Sequence, residues 1–265
     1  MSGGAGRIWA IALNTFREAV LIRVLYGILV VVVGLNLLTV VLGQLATNEE
    51  ARVTRDVGLA GISMFGSLTA IFLGVFLLYT EVQRRTIHAI VSKPIERWEF
   101  VIGKYAGMGL VLSVLVGVFT IAMLLMLLWQ DIGITTAVLK QIILSWFKVM
   151  VVSAVAIFFS SFSTPFLSGI FALAIWVIGR VTPDIERSTQ ATSPAIKAIS
   201  NLALRIVPDL HLFSISGRVV DGSTASVHGE FVSWGYVGLA TLHAFGWIAG
   251  LLTLAAVLFH RRDFV

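Results

Sequence analysis

The strongest constraint on this chain is a set of apolar runs too long for the core of a soluble domain. Val24–Thr47, Val57–Thr80 and Tyr105–Gln130 contain no Asp, Glu, Lys or Arg, and Phe231–Phe259 holds His243 as its one group that titrates near neutrality. A helix that crosses a bilayer needs about 20 apolar residues for a hydrocarbon core of roughly 30 Å, and each run satisfies that. Charged residues make up only 12% of the 265, about half the usual share of roughly 25% in soluble domains. An ordinary soluble enzyme is excluded, and the chain is expected to be an all-α polytopic membrane protein forming one transmembrane domain over residues 1–265.

Between Gln141 and Gly179 the pattern needs more thought. Val149–Gly179 is uncharged and would measure about 46 Å as one helix at 1.5 Å per residue, too long for one crossing and too short for two. Ser160-Ser161-Phe162-Ser163-Thr164-Pro165 interrupts it with turn-prone hydroxyl residues and a helix-breaking proline. Extending the segment back to Gln141 predicts a hairpin of two short spans, with Lys148 inside the first or at its boundary. Six spans result.

An even count puts both termini on one side. That side carries Arg7, Arg17, Arg23, Arg84, Arg85, Lys93, Arg97, Lys104, Arg261 and Arg262 in short segments. Most basic residues of the other side fall in one long loop, which weighs less in orientation. The termini are therefore expected in the cytoplasm, in the inner membrane of the cell. Trp234 and Tyr236 suit an outer aromatic belt. The first long run begins after Arg23 and exceeds a signal-peptide core, so no cleavable leader is expected. Before it, Trp9, Leu13, Phe16 and Val20 share one helical face while Arg7, Asn14 and Glu18 share the other. Residues 1–23 are thus expected to hold an amphipathic helix in the cytoplasmic interface; the start of one long first span is the alternative.

The chain has no cysteine, which excludes disulfides, thiolate metal sites and thiol catalysis. It has no G-x-x-x-x-G-K-[ST] loop for phosphate and no H-E-x-x-H, so no metal or cofactor site is expected in it. The small positive charge is not a nucleic-acid signature. Gly61-Ile62-Ser63-Met64-Phe65 begins like a nucleophile elbow but lacks the closing glycine, and Ser63 reads as packing. Met123 and Met126 read as core, with soft-metal ligation the lesser alternative. His243 is an ionisable group within a span, either a neutral hydrogen-bonding partner for a neighbouring helix or a pathway residue. Lys148, near the outer start of its span, is expected to snorkel outward on its long stem; a pore-lining or ion-paired role is the alternative. Gly66, Ala70 and Gly74, Gly103 and Gly107, and Gly246 and Gly250 stand at the spacing that lets helices approach closely.

Two segments outside the spans carry more information. Residues 81–104 read as helix, a break at Ser92-Lys93-Pro94, then helix into the third span, with Ile87, Ile90, Val91 and Ile95 among charges. In the outer segment 182–230, Ile196, Ile199, Leu202 and Ile206 recur at helical spacing between Pro194 and Pro208, as for a short helix at the outer interface.

Several motifs in order now point to a family. Glu81, Arg85, Thr86 and Ile87 form E-x-x-x-R-T-I, and Ser92, Lys93, Pro94, Ile95 and Arg97 form S-K-P-I-x-R, followed by Lys104. Ser160–Pro165, Val207–Phe213 (V-P-D-L-H-L-F) and Arg261–Phe264 (R-R-D-F) complete the series. Over essentially its whole length the sequence resembles the permease subunits of type-2 ABC transporters, the compact six-span kind with a separate ATPase. Relatives in that family are linked to copper-enzyme maturation, sodium export, gliding motility or drug resistance.

The resemblance implies a homodimer, or a pair with a sister permease, resting on two ABC ATPase subunits that bind ATP and Mg. It makes Glu81, Arg84, Arg85, Thr86, Ile87, Ile90, Val91, Ser92, Lys93, Pro94, Ile95 and Arg97 the coupling element toward those subunits. It makes the segment before the last span the re-entrant outer helices, and it allows a periplasmic or envelope partner. The expected function is ATP-driven transport, of the export type. A non-transporting anchor that transmits mechanical work to an envelope assembly, and a stand-alone secondary transporter, are the alternatives.

Overall fold

In a computed structural model, residues 4–22, 26–34, 37–38, 50–83, 96–182, 207–215, 218–220, 223–225 and 232–261 are described. Helix α1 covers Gly4–Val20, α2 Glu50–Gln83, α3 Arg97–Trp129, α4 Thr136–Phe162, α5 Pro165–Arg180 and α6 Trp234–Arg261. A 3-10 turn, Leu210–Phe213, and a two-stranded antiparallel ladder of β1 Arg218–Val220 with β2 Ser223–Ala225 lie before α6. The fold is all-α apart from that small hairpin.

Among the described residues four helices, α2, α3, α4 and α6, are long and apolar enough to cross a membrane, and α5 is a shorter apolar helix. The predicted first span, Val24–Thr47, is helical over 26–34 and 37–38, and the rest of it lies outside the described residues. α1 ends before it, its last turn closing with Leu21 N–H on the Arg17 carbonyl, so it is a separate helix.

The break after α4 falls where the hydroxyl-rich motif put it. Ser163 and Thr164 are extended, and Pro165 opens α5 at a first-turn position where its missing N–H is harmless. The division is unequal, however, which corrects the expected pair of short spans. α4 begins at Thr136, where Thr135 is extended, and its 27 residues reach about 40 Å. α5 has 16 residues, about 24 Å, shorter than a hydrocarbon core of roughly 30 Å.

α4 is the central element. In its most apolar stretch 67% of residues are buried, against 11% for α6. Close backbone approach explains how α2 seats on it: a Cβ added at Gly66 would lie 2.7 Å from Val149 Cγ2, and one at Gly74 would lie 2.5 Å from Ala156 Cβ. Ser63 is buried within α2, and Ser67 Oγ donates to its carbonyl. Met123 is buried and packs where Gly58 leaves room, and Met126 is buried nearby on the same helix, so both serve the core. Large apolar side chains such as Phe166, Leu239 and Leu242 face outward, as suits a surface solvated by lipid.

Candidate coupling and pathway sites

The coupling element expected from sequence joins the end of α2 to the start of α3. Glu81 lies in the last turn of α2 and Arg97 opens α3. Arg84, Arg85, Thr86, Ile87, Ile90, Val91, Ser92, Lys93, Pro94 and Ile95 lie outside the described residues.

What the structure does show is how the first turns of α3 are held. Glu99 is 2% exposed and uses both carboxylate oxygens. Oε2 accepts from the Glu96 backbone N–H at 3.3 Å, capping the helix, while Oε1 accepts from Arg7 Nη2 of α1 at 2.7 Å. The hydrogen bond to Glu99 raises the Arg7 guanidinium above its ordinary pKa. Farther along, Lys104 Nζ lies 3.5 Å from Glu18 Oε2 and over the Phe100 ring. Along the same face of α3, Gly103 meets Ile8 and Ile11, and Gly107 meets the Ala12 carbonyl and Thr15.

These contacts advance together along both helices, so α1 runs beside the first turns of α3 in the same sense. Its small residues, Ala12, Thr15 and Ala19, are buried against protein. Of the apolar stripe read from sequence, Trp9 and Val20 are exposed, while Phe16 is partly buried against the core. The Gly103 and Gly107 pair was legible as a packing signal. The Arg7–Glu99 and Glu18–Lys104 pairing was not, because the partners are about 90 residues apart in sequence.

Lys148 departs from expectation. It is 1% exposed, midway along α4, and does not snorkel. The reason is the earlier start of α4 at Thr136, which places Lys148 about 18 Å below the helix end, beyond the reach of its stem. His243 departs as well. It lies on the exposed side of α6, and its Nε2 accepts from Trp247 Nε1 at 3.0 Å, a partner one turn along its own helix rather than on a neighbour. The glycines beside it, Gly246 and Gly250, meet nothing within 4 Å among the described residues.

The end of the bundle beside the 3-10 turn is tied by polar groups that sequence reading passed over. Gln141, read only as the start of an apolar run, donates from Nε2 to the Phe213 carbonyl at 3.1 Å and accepts from Ile215 N–H at 2.6 Å. Tyr236 Oη donates to the Leu212 carbonyl at 2.6 Å, and Pro208 packs its carbonyl over Gly179. The V-P-D-L-H-L-F stretch is thereby docked into the bundle, with Asp209 capping the 3-10 turn through His211 N–H. Lys140 donates to the Val232 carbonyl at 2.8 Å and sits over Trp234. Arg55 donates to the Gly133 carbonyl at 2.6 Å, joining α2 to the α3–α4 turn. A helix proposed from the apolar stripe Ile196–Ile206 falls outside the described residues.

Among the described residues no group of three or more His, Cys, Asp or Glu could hold a metal ion. The site groups are ion pairs, helix caps and hydrogen bonds that fix helices against one another. Comparison with curated proteins finds no match. Comparison with protein families does: the family described as ABC-2 family transporter protein matches residues 9–264, and this chain belongs to it.

Proposed function

We propose that the chain is the transmembrane subunit of an export-type ATP-driven transporter, working as two permease copies, or one with a sister permease, on two ABC ATPase subunits. The observation that carries this reading is membership of the ABC-2 family over nearly the whole chain in a sequence without a phosphate-binding loop. ATP and Mg then belong to the partner subunits. The reading includes six spans, cytoplasmic termini and residence in the inner membrane.

In this reading the segment from Glu81 to Arg97 receives the movement of the ATPases. Pro94 fixes its own backbone angle and turns Lys93 away from helix, which suits a chain reversing toward the membrane. Ile87, Ile90 and Val91 fill a groove on the ATPase, flanked by Arg84, Arg85 and Arg97. α1, clamped to the first turns of α3 through Glu99, moves with that segment. Only a few central anchors of an interface cost more than about 1 kcal/mol when truncated, so the test replaces two together. Ile87→Ser with Ile90→Ser should reduce co-purification of the ATPase or uncouple its hydrolysis, with membrane insertion unchanged. Full assembly and full activity in that double variant would refute the coupling role.

A further inference from the structure

α4 carries a polar stripe inside the bundle. At 3.6 residues per turn, Gln141, Ser145, Lys148, Val152 and Phe159 fall within about 60° of one another around the helix, and the first four are buried. The other faces of α4 are taken. Val149 and Ala156 lie under Gly66 and Gly74 of α2, Met150 meets Gly109 of α3, and Phe147 sits edge-on to Phe245 of α6 at 5.7 Å. The stripe is left facing α5 and the strap formed by residues 207–215. Phe159 meets Phe171 of α5 at 5.3 Å, which closes this seam near the Ser163–Thr164 break. At the opposite end Gln141 holds the strap through the Phe213 carbonyl and the Ile215 N–H. Ser145 and Lys148 stand on the stripe between these two closures, and the Gln141 amide also donates to Ser145 Oγ at 3.1 Å.

The strap is the closure that can move without unwinding a long helix, since its only helical part is the four-residue 3-10 turn. It bridges α5 and α6: the Pro208 carbonyl lies over Gly179, and the Leu212 carbonyl accepts from Tyr236 Oη at 2.6 Å. Leu210, Phe213 and Ile215 are buried under it. Its hydrogen bonds to the helices run from two side chains, Gln141 and Tyr236, to backbone groups of the strap. Polar and ionisable residues inside a membrane domain face the protein interior or a water-filled cavity, and they mark pathways. We propose that the 207–215 strap is a lid over a polar route along α4. Lifting it from Gln141 and Tyr236 lets water and polar solutes reach Ser145 and Lys148 from that end of the bundle. That such a solute is cargo rests on the transporter reading; the lid does not.

The test uses the purified full chain in nanodiscs without any ATPase, so its failure is separable from failure of the coupling reading. Because the chain has no cysteine, Ser145→Cys supplies a single thiol on the stripe, and a charged methanethiosulfonate reagent reports whether water reaches it. Val149→Cys, packed under Gly66 on another face of the same helix, is the control. Slow labelling is expected at Ser145→Cys and none at Val149→Cys. Adding Tyr236→Phe removes the bond to the Leu212 carbonyl while leaving Gln141 in place, and should speed labelling of Ser145→Cys about tenfold with Val149→Cys still silent. If Ser145→Cys does not fold, Val152→Cys, farther along the stripe, replaces it under the same criteria. A stripe cysteine that stays unlabelled with and without Tyr236→Phe, or is labelled at the same rate in both, overturns the lid. Equal acceleration at Val149→Cys also overturns it, because it would show that the whole bundle has loosened.

Discussion

Arg7 Nη2 and Glu99 Oε1 stand 2.7 Å apart across 92 residues of sequence, and the same carboxylate caps the helix that Arg7 grips. One buried group thus fixes both the start of α3 and the position of α1. The two roles are separable by mutation.

Glu99→Ala should destabilise the chain more than Arg7→Ala does, because only the first also removes the cap. Unpairing a buried hydrogen-bonding group costs about 1–3 kcal/mol, and the loss of a helix cap adds about 1 kcal/mol. Unfolding of the purified chain in detergent measures both variants. Equal losses would show that the bond from Glu96 N–H to Glu99 contributes nothing.

Glycine substitutions should sort by what faces them. Gly107→Ala drives a methyl into the Ala12 carbonyl, and Gly74→Ala drives one into Ala156. Overpacking of this kind costs about 1–3 kcal/mol. Gly246→Ala meets open space among the described residues and should stay within about 0.5 kcal/mol of wild type. The same unfolding assay distinguishes them, and a large loss at Gly246 with none at Gly107 would reverse the assigned packing.

Gln141→Leu should loosen the docked outer stretch. It strips partners from the Phe213 carbonyl and Ile215 N–H at once, at about 1–3 kcal/mol for each buried group left unpaired. Hydrogen exchange at the Ile215 amide is the direct readout, with faster exchange expected there and unchanged protection in the middle of α3. Unaltered exchange at Ile215 would mean that Tyr236 and the Gly179 contact suffice to dock the segment.

Orientation is open to a simple chemical test, since the chain has no cysteine of its own. Single cysteines at Ser2 and Ser223 should label from opposite sides of the membrane. Labelling from the same side would contradict six spans with cytoplasmic termini.

The sequence made the membrane class, the helices α2, α3 and α6, and the α4–α5 break readable, because each rests on local composition or on proline stereochemistry. Pro165 marks the break regardless of what surrounds it. Lys148 was misplaced because its depth depends on where α4 begins, and Thr135-Thr136 gave only a weak start signal beside the apolar run from Ile142. The partners of Gln141 and Glu99 were invisible for a different reason: long-range polar pairing leaves no periodicity. The β hairpin was missed although Asp221-Gly222 stands between the residues that pair, a two-residue connection favoured in hairpins.

The contact of α2 with α4 at Gly66 and Gly74 has a mechanical consequence. Helices that meet through long side chains can absorb a small displacement by changing rotamers, whereas backbones pressed together through glycine have no such slack. Where they meet, α2 and α4 therefore form a stiff pair, with the Gln83–Arg97 connection at one end. In the proposed transporter a tilt imposed at that end is carried from α2 into α4, and the short α5, with only Ser168, Ala172, Trp176 and Gly179 buried, is the part that yields.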